Sequence, residues 1–391
     1  MKNLMKKVYL VLKNVVCVVL FFAILINIMA FWAPLFRYEE DHLTTGAFTG
    51  FYAEDENSLD IVFIGASSVY RYMAPTLLYE KYGITSMNFA SASMPTESMS
   101  GLIDEVMDKQ SPKLIVLEVR DFIKWVDRYE KGVKSTDEEW LVANESYINR
   151  IVDNMPPSKN RAKVVHDTIK PLLNKNEFDW QFEYYRTHNN WKDLKISDVV
   201  NYAFDKIKGK KEIVNIDGKC LYGDYKGTST MKYIKHCKEV DYKDYDKVEK
   251  IPDKYMGVMD ALVEKAKTCG TDVLFLTTPY PEPAKKAAYE NYLAQYYKEK
   301  GVDYLNCNKL HKKIGLDFEW DFYDAKHTNI RGAIKVTNYV GDYMVKKYNL
   351  KPTKLTKSQK AEWDTALEKW NEEVRVPGLE YIEGKIAASN S

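Results

Sequence analysis

Five short apolar runs, closed by small or polar turn residues and separated by stretches of helical spacing, restrict this chain more than any other feature of its sequence. They are residues 59–64 (LDIVFI), 85–90 (TSMNFA), 113–119 (KLIVLEV), 273–277 (VLFLT) and 302–305 (VDYL). Runs of this length that are nearly continuous in apolar content, rather than alternating, are strands buried on both faces. Such strands belong to a parallel sheet covered by helices. Between them the spacing predicts helices at 75–82, 94–109, 253–268, 284–300 and 332–348; Met256, Met259, Leu262, Val263 and Ala266 mark one face of the third, and Gly270 stops it. The order β-α-β-α-β, an insert, then α-β-α-β-α predicts an α/β fold, a flavodoxin-like three-layer parallel sheet.

The insert, residues 122–252, differs in composition: it is rich in Tyr, Trp, Lys and Asp and poor in apolar runs, so it is expected to be a mostly helical or irregular cap. Its stretch 178–193 (FDWQFEYYRTHNNWKD) offers aromatic faces either for stacking on sugar rings or for packing the insert onto the main domain. The expected organisation is a cytoplasmic stub and anchor (1–36), the first part of the sheet domain (37–121), the cap, the second part (253–349), and a C-terminal strap and tail (350–391). In the last of these, Trp363, Leu367 and Trp370 share one helical face.

The anchor rests on residues 15–33, an uncharged run with Asn27 as its one strongly polar member. Such a run crosses roughly 30 Å of hydrocarbon as a helix. Lys2, Lys6, Lys7 and Lys13 precede it, and Arg37, Glu39, Glu40 and Asp41 come after it, which places the N-terminus in the cytoplasm and the rest outside. A cleaved signal peptide is the competing reading, but the apolar run exceeds a usual signal core. Beyond the anchor, 53 basic residues face 56 acidic ones, so the exterior part lacks the basic field that nucleic-acid binding requires.

Neither metal nor nucleotide chemistry finds a motif. The histidines, His42, His166, His188, His236, His311 and His327, form no HxH, HxxxH or HExxH pattern, and the chain has no GxxxxGK[ST] phosphate loop and no GxGxxG turn after the first strand. No cofactor is expected. Cys220, Cys237, Cys269 and Cys307 are too sparse for a disulfide scaffold, although the spacing allows one Cys220–Cys237 bridge; Cys269 and Cys307 flank strand-like segments as small hydrophobes.

Gly65-Ala66-Ser67-Ser68 comes directly after the first strand, at the carboxyl end where open parallel sheets place their ligands. A serine there becomes a nucleophile if a base reaches it, and the base candidate is in 320–329 (WDFYDAKHTN), where Asp324 and His327 stand three residues apart before the last helix of the sheet domain. Imidazole takes the serine proton while the carboxylate holds the ring. Asp321 is a rival orienting carboxylate, and plainer readings make Ser67 a helix N-cap and Asp324-His327 a surface turn.

Taken together, these blocks give a chain that resembles the SGNH/GDSL hydrolase superfamily, in the membrane-anchored bacterial branch similar to cell-surface polysaccharide O-acetyltransferases and the teichoic-acid D-alanylation protein. The resemblance covers about residues 58–121 and 254–348. It implies Ser67 as nucleophile from IVFIGASS and Asp324 and His327 as its partners from Asp-x-x-His, with Thr328-Asn329 and Gly332-Ala333 continuing the branch's pattern. Two blocks depart. Where the family supplies a glycine amide to the oxyanion hole this chain has Asn88-Phe89-Ala90-Ser91-Ala92-Ser93, leaving the amides of Ala90 or Ser93; where the family has an asparagine after the third strand it has Arg120, either a replacement donor or an ion-pair partner of Glu118 or Asp121. The expected function is therefore an extracytoplasmic serine esterase or O-acyltransferase acting on acyl groups of a cell-envelope polysaccharide, the transferase form needing an acyl donor from a multi-span membrane acyltransferase. The alternative is a non-catalytic, membrane-tethered glycan-binding or envelope-assembly protein on a degenerate fold of the same type.

Overall fold

The computed structural model of the chain describes residues 2–36, 42–132, 137–182, 184–187, 190, 192, 194–208, 215–216, 219–220, 226–240, 245–281 and 284–391. Its centre is an all-parallel sheet of five strands, β1 (Ile61–Gly65), β2 (Ser86–Ala90), β3 (Leu114–Glu118), β4 (Asp272–Thr277) and β5 (Asp303–Asn306), in the order β2-β1-β3-β4-β5. That is the doubly wound order whose direction reverses between β1 and β3, and the crevice outside the carboxyl ends of those two strands is the switch point. The predicted strands are present, each shifted by two residues or fewer at its ends.

Alternate strand residues point to opposite faces, and both faces are covered. On one, Ile61, Phe63, Val116, Leu274 and Leu276 pack with Leu78 of α1 (Pro75–Tyr82) and with Val336, Val340 and Met344 of α5 (Ile330–Tyr348). On the other, α2 (Met99–Lys109), α3 (Asp253–Thr268) and α4 (Ala284–Lys300) bury Leu102, Ile103, Met259, Val263 and Tyr297, the last stacked on Phe275 at 4.7 Å. The helix expected from residue 94 starts instead at Met99, because Pro95 begins a short 3-10 turn, and α5 starts two residues early because Asn329 caps it through the amides of Arg331 and Gly332. C-terminal to these, the helices Lys357–Trp370 and Val376–Ser389 bury Trp370 and Ile382 against Ala74, Leu77 and Ile330.

Contacts divide the chain into two units, Met1–Glu40 with Asn176–Lys210, and Asp41–Lys175 with Lys211–Ser391. The 122–252 insert is thus split between them: its flanks cluster with the sheet and its middle with the N-terminal helix. That helix, Lys2–Trp32, contains a 25-residue stretch of mean hydropathy 2.6 and is long and apolar enough to span a membrane. Asn27 is satisfied inside it, its amide donating to the Ala23 carbonyl at 2.7 Å. The Cys220 side chain, and with it the expected Cys220–Cys237 bridge, lies outside the described residues; among those residues Cys237 is a free thiol.

One buried carboxylate fastens the amino ends of the strands. Asp60, fully buried before β1, accepts from the Thr85 amide, the Lys113 ammonium at 2.7 Å, and the amide and hydroxyl of Thr353. Asp60→Ala leaves the buried Thr85 amide without this acceptor and takes from the exposed Lys113 and the half-buried Thr353 their carboxylate partner; it is expected to cost about 2 kcal/mol, read as a melting temperature lowered by several degrees in the full chain, and Asp60→Asn, which keeps an acceptor oxygen, is expected to cost less.

Candidate active site

The turn after β1 is set by space. A Cβ on Gly65 would meet Cβ of Glu118 and Cγ2 of Val69, both at 2.8 Å, so only glycine lets β1 end this close to β3. The chain then enters a one-turn helix, Ser67–Tyr70, in which Ala66 occupies the N-cap position and no side chain caps it. Ser67 is therefore not the N-cap. Its hydroxyl instead lies 2.8 Å from Nε2 of His327, a residue 260 positions away in sequence.

His327 arrives on a loop closed at its base by the Asn329 amide donating to the Asp321 carbonyl and by the Asn329 side chain donating to the Trp320 carbonyl at 2.7 Å. Gly332 permits this closure, since a Cβ there would fall 2.3 Å from the Asp321 carbonyl oxygen. Asp321, the rival carboxylate, is fully buried and already holds Arg331 and Lys335, each at 2.7 Å, so it braces the loop and does not orient the imidazole. Asp324 does that: its Oδ2 and Oδ1 lie 2.9 and 3.1 Å from Nδ1 of His327, while Oδ1 also accepts from the amides of Lys326 and His327.

Electrostatics fix the proton positions. Burial works to raise the Asp324 pKa, but the hydrogen bond and charge of His327 and the two loop amides outweigh it and hold the carboxyl well below the usual range. An ionised carboxylate only accepts, so the His327 ring proton sits on Nδ1, and Nε2 is left to accept from the Ser67 hydroxyl. Burial also lowers the His327 pKa; Asp324 pulls it up, and the charges of Arg120 and Arg71 push it down, leaving the imidazole below the ordinary histidine value of 6.5. It is neutral at neutral pH, as a general base must be.

The residues expected around an oxyanion are placed differently from one another. Ala90 ends β2, fully buried and paired with Gly65. Ser93 stands in the loop beyond with φ of 51°, the left-handed conformation that favours glycine, and its hydroxyl accepts from Lys124 at 3.4 Å. Arg120, buried at the carboxyl end of β3, forms no ion pair with Glu118 or Asp121. Its Nη1 donates to the Tyr72 hydroxyl at 3.2 Å, and its guanidinium stacks over the rings of Tyr280 at 4.6 Å and Tyr72 at 5.4 Å. Lys124 is the partner of Asp121, at 3.4 Å. Glu118 accepts from Ser68 and, at 2.9 Å, from the Thr278 hydroxyl; burial raises its pKa and Arg120 partly offsets that.

Three contributors carry no motif of their own in the sequence. Tyr72 sends its hydroxyl to the Pro279 and Lys326 carbonyls at 2.7 and 2.9 Å, tying the serine turn to the histidine loop. Tyr323 stacks on the His327 ring, centroids 5.6 Å apart, and Arg71 lies over the Tyr323 ring at 5.3 Å. Their one visible signal is position: Tyr323 abuts Asp324, and Arg71 and Tyr72 come about a helical turn after Ser67. Among the described residues no group of three or more His, Cys, Asp or Glu side chains is arranged to hold a metal; His236 gives its Nδ1 to the Glu319 carbonyl.

No family model and no curated protein matches this chain. Its chemistry therefore rests on the geometry of the site alone.

The depressed His327 pKa gives the sign of a pH test. Acylation by p-nitrophenyl acetate is expected to be full at neutral pH and to fall only as pH drops through a midpoint below 6.5. Arg120→Ala removes a positive charge that disfavours the imidazolium, so the midpoint of the pH-rate profile moves upward.

Proposed function

We propose that this protein is a membrane-anchored, extracytoplasmic serine enzyme of SGNH/GDSL type, an esterase or O-acyltransferase working on acyl groups of a cell-envelope glycan. The observation that carries the reading is the relay from the Ser67 hydroxyl at 2.8 Å to His327 Nε2 and from His327 Nδ1 at 2.9 Å to Asp324, at the switch point of a doubly wound sheet. In this mechanism Ser67 Oγ attacks the carbonyl carbon of the ester, and Nε2 takes the hydroxyl proton. The same proton goes to the leaving alcohol as the tetrahedral intermediate collapses to acyl-Ser67. A second hydroxyl then gives its proton to Nε2 and attacks the acyl carbon, and Nε2 passes that proton to Ser67 Oγ as the second tetrahedral intermediate collapses, freeing the acylated product and the serine hydroxyl. Water as this acceptor makes an esterase; a glycan hydroxyl makes a transferase.

Two backbone amides suit the developing oxyanion. Ser67 opens a helix, where first-turn amides lack intrahelical partners, and Ser93, in the block where the family supplies a glycine amide, has the left-handed backbone that favours glycine. Arg120 adds a fixed positive charge, where the family has a neutral asparagine. An anchor beside the envelope favours a polymeric substrate, and the transferase form would draw its acyl group from a multi-span membrane acyltransferase.

The test is the interdependence of the three residues. Ser67→Ala and His327→Ala are each expected to lower p-nitrophenyl acetate turnover on the order of 10⁴-fold or more, Asp324→Ala somewhat less, and the Ser67/His327 double variant no further than either single one. Losses that multiply, or full turnover in His327→Ala, would refute the relay.

A further inference from the structure

The smaller unit carries an apolar face that the sheet domain's chemistry does not use. The helix Ile196–Ile207 leaves Ile196, Val200, Phe204 and Ile207 exposed, at 84%, 45%, 56% and 78% of their surface. At 100° per residue these four fall within about 80° of arc, while the exposed Ser197, Asp198 and Asn201 lie on the remaining circumference. A stripe this complete, left in water, is unfavourable at about 25 cal/mol per Å² of apolar surface.

The helix is held at the carboxyl end of the membrane-length helix of the same unit. Tyr202, on a different face from the stripe, donates its hydroxyl to the Phe31 carbonyl at 2.8 Å, and its ring meets those of Phe31 and Trp32 at 5.7 and 6.2 Å. The last carbonyls of a helix lack intrahelical amide partners, and Pro34, just beyond, has no amide to offer. Tyr202 supplies the donor. Aromatic residues with a polar tip gather where a span leaves the hydrocarbon, so this contact fixes the depth of the Ile196–Ile207 helix at the membrane boundary. Exposed Lys192, Lys195 and Lys208 flank the stripe and suit anionic headgroups. Phe178, Phe182 and Tyr185 of the same unit form a second exposed cluster, their rings 4.8 and 4.9 Å apart.

We propose that the helix Ile196–Ile207 lies in the headgroup region of the leaflet at the carboxyl end of the span, its Ile196, Val200, Phe204 and Ile207 stripe immersed in lipid. The chain is then held at the membrane by two elements, a crossing helix and a surface helix clamped to its end by Tyr202. This rests on the N-terminal helix being a span, and the experiment separates the two claims.

The full chain, reconstituted in phosphatidylglycerol/phosphatidylcholine vesicles, receives a nitroxide-bearing noncanonical amino acid at one position at a time, which leaves the native cysteines in place. The expected result is oxygen accessibility well above nickel-chelate accessibility at 196, 200, 204 and 207, the reverse at 197 and 201, and a lipid reading at the control Val19, which is exposed on the N-terminal helix. A water-exposed stripe with a lipid-exposed Val19 would overturn the surface helix while leaving the anchor standing, and would assign the face to a protein partner. A stripe shielded from both reagents would overturn it in favour of a second copy of the chain. A water-exposed Val19 would overturn the span and the proposal together.

Discussion

β1 and β3 approach so closely at their carboxyl ends that residue 65 has room for a hydrogen and nothing larger. The candidate site depends on that constraint. Because Gly65 brings the chain against Glu118, the next residues turn at once into a helix, and the buried Glu118 accepts from Ser68 on one side and from Thr278 after β4 on the other. The carboxyl ends of three strands are thereby held together, with Ser67 presented on the first of them. A carboxylate buried this way is costly unless satisfied, and here its acceptor oxygens are met from two neighbouring strands.

The histidine loop is brought to that turn by contacts outside the proposed chemistry. Tyr72 and Thr328 cross between the two segments, the latter donating to the Arg71 carbonyl at 3.2 Å, and Asp321 with Arg331 and Lys335 stiffens the loop from behind. The positive charge collected around the imidazole, Arg120 and Arg71, acts in the same direction as burial. Both keep His327 neutral, while Asp324, stabilised by its amides and its ring partner, stays ionised. The arrangement separates the protonation states of two adjacent groups, which acid–base chemistry needs.

Much of this was legible in the sequence because the signals were local. A strand buried on both faces must be apolar throughout, so 61–64 and 114–117 announced themselves, and a small-residue turn after the first strand marked Ser67. Asp324 and His327 were legible as a spacing. Arg120 was not, because whether a guanidinium meets Glu118, Asp121 or an aromatic ring depends on where Tyr72 and Tyr280 come to lie, and Tyr280 is distant in sequence. The division of the insert was hidden for a related reason. The stripe Ile196, Val200, Phe204, Ile207 has clear helical spacing, but its attachment to Phe31 is made by one tyrosine across 171 positions.

The most direct measurement of the central claim is peptide mapping of the full chain after reaction with a fluorophosphonate, which captures a serine only where a base activates it. One adduct is predicted, on Ser67, formed by the native chain and absent when His327 is replaced by alanine. An adduct on Ser68, Ser91 or another serine, or labelling of Ser67 that proceeds undiminished without His327, would contradict the account.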